Sequence, residues 1–221
     1  MNLSPAAIDV ALDRFLTALE RDRSLQRCLR LWSQFIRVRD GLRCVICHET
    51  SALSAHHIIR KSLISMMQLD PGNGITLCRS CHREPHQAFN RRPDLNLPMD
   101  AEGGDNIDLT AAFFYALGED ARQRELLCDH YYFISDYALD TFKRFQCINQ
   151  ELEFPGYRVE QAYLIWRQTS RPVLRCLLEA NGATLPPDLI QTGPFTIISM
   201  DAESSHRLRG PRARRAPLPV G

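Results

Sequence analysis

The sequence predicts a mainly α-helical chain, α+β overall, organised around one small cysteine-bearing module near its N-terminal end. Three observations carry that prediction. Two Cys-x-x-Cys pairs, Cys44 with Cys47 and Cys78 with Cys81, bracket a short segment. Between them, Leu42 to Ile59 reads as short extended structure, with alternating faces over Ser54–Ile59. Before the first pair and over most of the chain behind the second, apolar residues recur at helical spacing.

Taken in order, Ser4-Pro5 reads as an N-cap followed by proline at the first helical position. Leu12, Phe15, Leu16 and Leu19 then repeat at helical spacing to about Glu20. Ser24 is placed to cap a second helix, with Cys28, Leu29, Trp32, Phe35 and Ile36 on one face and Gly41 at its end. The two helices are expected to form a hairpin packed on the module, residues 1–40 against 41–92. Lys61 to Leu69 reads as a loop or short helical turn, Asp70-Pro-Gly-Asn-Gly74 as a turn, and a helix is expected after Cys81 to about Asn90.

Residues 93–108, rich in Pro, Gly, Asp and Asn without periodicity, read as a linker. An acidic helical domain is expected over 109–203. It starts with a short helix, Leu109–Leu117, stopped by Gly118; a long helical pattern follows from Glu119 to about Gln150, broken at most once. Val159, Ala162, Tyr163 and Trp166 mark a further helix, Ser170–Asn181 a last one, and Phe195–Ser199 a lone strand. The Arg-rich residues 204–221 have almost no apolar content and are expected to be disordered.

Each Cys-x-x-Cys loop can present two thiolates to one ion, and two such loops supply what a structural tetrahedral Zn2+ requires. Four reduced core cysteines would be the alternative, but an arginine beside each pair (Arg43, Arg79) disfavours it. Cys28, Cys128, Cys147 and Cys176 lie on helical-looking stretches and read as small buried hydrophobes.

Inside the bracketed segment stand Arg39-Asp-Gly-Leu-Arg-Cys-Val-Ile-Cys47, Ala55-His-His-Ile-Ile59, Asn73 and Leu77-Cys-Arg-Ser-Cys-His82. In that order and spacing they resemble the HNH endonucleases in the form that carries a four-cysteine zinc site. The resemblance covers near a fifth of the chain. It implies a ββα-metal fold for residues 41–92 and metal-dependent hydrolysis of DNA phosphodiester bonds. By resemblance, His57 is the general base, His56 and His82 are ligands of a catalytic divalent ion (Mg2+ or Mn2+), and Asn73 holds the histidine-bearing loop. His86 would be a third imidazole ligand one helical turn after His82, although Pro85 between them could delay or kink the helix. Arg60 stands where many family members have proline.

Bulk properties agree with such a protein. The net charge of +1 is unevenly spread. Residues 1–92 carry 14 Lys and Arg against 8 Asp and Glu, whereas residues 93–206 carry 8 against 18. The basic half suits a phosphate surface, with Arg60, Lys61, Arg79, Arg83, Arg91 and Arg92 as candidate contacts. The acidic half suits a protein partner or self-association better than DNA. No apolar run is long enough to span a bilayer and the N-terminus lacks a signal pattern, so a soluble, cytoplasmic protein is expected. No Walker A sequence occurs, so any nucleotide dependence has to come from a partner. A bacterial restriction or antiphage setting follows family habit alone. Two rivals stay open: a zinc-stabilised nucleic-acid-binding or adaptor module that does not cut, and an RNA or structure-specific repair nuclease on the same motif. The first would be expected to lack His57, His82 or Asn73, and all three are present.

Overall fold

The computed structural model describes residues 4–61, 64–87, 107–146, 148–168, 188–192 and 195–199. Helices α1 (Pro5–Glu20) and α2 (Leu25–Arg39) form the expected hairpin. Its seam is apolar, with Ile8, Leu12 and Phe15 on one side and Trp32, Phe35 and Ile36 on the other, all buried. Ser4 and Ser24 occupy the N-cap positions, but neither hydroxyl makes a cap bond. Their backbone carbonyls alone take the amides of Ala7 and Arg27, each at 2.9 Å. Gly41 (φ 75°) and Leu42 (φ 53°) turn left-handed, which ends α2 and aims the chain into the first cysteine pair.

Strand β1 (Ser54–His57) pairs antiparallel with β2 (Gly74–Leu77), in the register His56 opposite Ile75 and His57 opposite Gly74. Single turns of 3-10 helix at Ser65–Met67 and Pro71–Asn73 fill the connection. Helix α3 (Arg79–Gln87) follows β2 at once and packs on both strands. Because α3 begins ahead of Pro85, the proline does not delay it. It only leaves the Cys81 carbonyl without its usual i+4 amide.

Helices α4 (Ile107–Gln123), α5 (Asp136–Phe145) and α6 (Arg158–Trp166) complete the helical part. Gly118 does not stop α4, contrary to expectation: the helix runs one and a half turns beyond it, packed against α6. The stop lies at Glu125, whose left-handed backbone (φ 57°) is closed by the Leu126 amide on the Ala121 carbonyl at 2.9 Å. The long pattern after Glu119 is therefore divided into the end of α4, an irregular stretch, and α5. Cys128 falls in that irregular stretch rather than on a helix. Buried residues of α1, α2, β2 and α4–α6 belong to one hydrophobic core, with the partly buried Ala55 of β1 packed against it.

Phe195–Ser199 is not a lone strand: as β4 it pairs antiparallel with β3 (Asp188–Thr192). α4 starts at Ile107, inside the expected linker. The rest of that linker, the expected helix at 170–181 and the tail at 204–221 lie outside the described residues. Helices thus dominate, with a small antiparallel sheet at the module, an α+β chain as the sequence predicts. Among the described residues no helix is long and apolar enough to cross a membrane.

Candidate active site

The two cysteine loops meet. The Sγ atoms of Cys44, Cys47, Cys78 and Cys81 all lie within 4.8 Å of one another, with Cys47 at 3.5 Å from Cys78 and 3.6 Å from Cys81. A tetrahedral zinc with Zn–S bonds of about 2.3 Å spaces its sulfurs by about 3.8 Å. The donor set therefore fits a structural Zn2+. The Cys81 amide and the Ser80 hydroxyl, 3.0 Å away, lower the pKa of the Cys78 thiol to about 6, towards the thiolate a metal takes. The first loop is also stitched to the sheet, because the Val45 amide donates to the Thr76 carbonyl at 2.9 Å.

Beside this cluster the sheet presents the histidine doublet on opposite faces, as strand alternation requires. The His56 ring turns towards α3 and α4: its centroid lies 5.0 Å from that of His82, edge to face, and 5.8 Å from that of Phe113. His57 turns towards α2 and stacks on Trp32, with centroids 4.1 Å apart and planes within 10°. Its Nε2 lies 2.9 Å from the Gln68 carbonyl, which can only accept, so Nε2 carries the proton and Nδ1 remains an acceptor. Burial lowers the pKa of His57. The Gln68 carbonyl opposes that shift and the Lys61 charge adds to it.

Asn73 is fully buried. Its side chain accepts from the Ile59 amide at 2.8 Å and donates to the Ile59 carbonyl at 3.0 Å and the Met67 carbonyl at 3.3 Å. The segment leaving the doublet is thereby tied to the turn before β2. A second device holds that turn from the other side. Arg39, fully buried, pairs with Asp40 at 2.8 Å and donates to the carbonyls of Pro71 at 2.7 Å and Gly74 at 2.6 Å. Asp40 in turn takes the Thr76 amide at 2.8 Å. Buried charges persist only when paired and hydrogen-bonded, and these are both.

The structure thus brings His56 and His82 together, with Asn73 bracing the loop and His57 on the other face of β1. His86 lies on α3 one turn after His82. Lys61, Arg79 and Arg83 are exposed and Arg60 is half-buried; Arg91 and Arg92 lie outside the described residues. Trp32 and Gln68 were not anticipated at the site, and Arg39 entered only as the start of the first motif, without a role. Trp32 carried only the signal of an apolar helix face, and a backbone carbonyl such as that of Gln68 carries none.

Two strands, a connecting loop and a helix make a ββα arrangement in which the rings of His56 and His82 converge. Its family is identified by comparison: the HNH endonuclease family model matches residues 44–88. The four clustered cysteines in this part of the chain are consistent with the zinc-binding form of that family. Comparison of the chain with curated proteins and with solved structures finds no match.

Proposed function

We propose that the protein is a metal-dependent endonuclease that hydrolyses DNA phosphodiester bonds. The observation that carries the reading is the convergence of the His56 and His82 rings from β1 and α3 beside the cysteine cluster. His56, His82 and His86 would hold one divalent ion, Mg2+ or Mn2+, which supplies charge neutralisation at the phosphate and at the leaving 3′ oxygen. The four cysteines would hold a structural Zn2+, which would tie the two cysteine loops together.

His57 takes the proton of the attacking water on Nδ1, while its Nε2–H holds the ring to the Gln68 carbonyl. A lowered pKa keeps that imidazole neutral, the form a base needs. His57 is the last residue of β1, adjacent in the chain to His56. Asn73 positions the loop, and Arg60, Lys61, Arg79, Arg83, Arg91 and Arg92 bind flanking phosphates. A restriction or antiphage role in the cytoplasm is compatible with this chemistry.

Supercoiled plasmid tests the reading. Wild type nicks it with Mg2+ or Mn2+ and not with EDTA, and His57→Ala loses at least a hundredfold in rate, the scale of general-base contributions. Equal cleavage by the two proteins would remove His57 from the base role. No cleavage of duplex DNA, with cleavage of RNA or branched substrates in the same panel, would move the substrate class.

A further inference from the structure

We propose that the groove along the α1–α2 hairpin is a second contact for the phosphate backbone of duplex DNA, set along α2 from the histidines. The inference rests on the nuclease reading above and adds a site to it. A cavity of about 530 Å3 opens between the two helices. Arg14, Arg21, Arg23 and Arg27 line it, against the single carboxylate of Asp13. All four arginines are exposed, and none forms an ion pair or side-chain hydrogen bond among the described residues.

Four like charges around one concavity repel each other and gather counterions. A nucleic-acid backbone relieves both, since pairing its phosphates releases condensed ions to solution. Guanidinium groups also match phosphate oxygens in a two-pronged geometry that ammonium groups lack. Helix α2 links this groove to the site, because Trp32, which stacks on His57, lies on the same helix as Arg27. At 1.5 Å per residue, Arg27 is about 7 Å along the axis from Trp32 and Arg23 about 14 Å, Arg23 being just ahead of the first turn.

The test uses the full chain in a His57→Ala background, so that DNA is bound and not consumed. Binding of a labelled duplex of about 24 base pairs is followed by anisotropy over a salt series, for this parent and for the same protein with Arg21→Ala, Arg23→Ala and Arg27→Ala. The slope of log K against log salt is expected to fall by about 2.7, roughly 0.9 per lost phosphate contact, with affinity down at least tenfold at low salt. Lysine at the same three positions restores the slope, which a merely structural effect would not.

An unchanged slope and affinity in the triple-alanine protein, with wild type still nicking plasmid, overturns the groove and leaves the nuclease reading standing. If the parent binds no DNA and wild type cuts none, both fall together. All three positions are exposed, and an unchanged circular dichroism spectrum confirms that the variants fold.

Discussion

His57 has two partners, and each constrains a different property. The Trp32 stack removes water from one ring face, and the Gln68 carbonyl fixes which nitrogen keeps the proton. With its pKa in the folded chain below the ordinary value of 6.5, the unfolded chain binds a proton more readily than the folded one. Its contribution to stability is therefore complete above pH 6.5 and lost as the pH falls through the lowered value. Urea melts from pH 8 to pH 5 should show stability declining at the acid end, with the decline reduced in His57→Gln. A decline of equal size in both proteins would assign it to other groups. The role of Trp32 was also closed to inference beforehand. Its place on an apolar helix face says that it is buried, and nothing in residues 25–39 says that its neighbour is an imidazole twenty-five positions away.

Elements differ in how far their own residues specify them. The module between the cysteine pairs was legible partly from spacing, with four sulfurs placed for one ion and a histidine doublet that a strand splits across its faces, and otherwise from its resemblance to the HNH endonucleases. Helix α4 was less so. Gly118 reads locally as a stop, yet the helix continues because its apolar face packs on α6, and tertiary packing outweighs a propensity cost of about 1 kcal/mol. A methyl group there would meet only Val159 Cγ1, at 4.0 Å. Gly118→Ala should therefore stabilise the protein by about 0.5–1 kcal/mol, measured by urea unfolding. Gly72 is the opposite case. A Cβ there would stand 2.4 Å from Ile134 Cγ1 and 2.5 Å from the Tyr132 carbonyl, so the turn before β2 is shaped by a segment sixty residues downstream. That contact has no local signature, and neither does the partner of Phe195–Ser199, since Asp188–Thr192 lacks a plain strand pattern.

At the scale of the molecule, the module and the helices behind it share more than proximity. Ser135 donates both its amide (2.9 Å) and its hydroxyl (2.8 Å) to the Asp70 carboxylate. The Gly72 amide donates to the Phe133 carbonyl at 2.7 Å. Arg124 donates to the Arg39 carbonyl and pairs with Asp120, which also pairs with Arg43. Ile75 and Leu77 of the sheet belong to the same core as Phe113, Phe142 and Trp166. Shared burial and shared polar bonds predict one cooperative transition. Calorimetric and van't Hoff enthalpies should agree for the zinc-loaded protein, and a chelator should lower that one melting temperature rather than create a second, earlier step. Two resolved transitions would mean that the acidic helices fold apart from the cysteine-bearing module.

The Trp32–His57 stack also makes the protein its own optical probe. Indole emission is quenched far more strongly by a protonated imidazole in van der Waals contact than by a neutral one. Only two tryptophans occur in the chain, so Trp166→Phe leaves Trp32 as the sole indole, excited selectively at wavelengths tyrosine does not absorb. Its brightness then titrates with the one imidazole it touches, without label, substrate or turnover. The protonation state of that ring becomes readable in the resting protein, apart from any assay of cleavage.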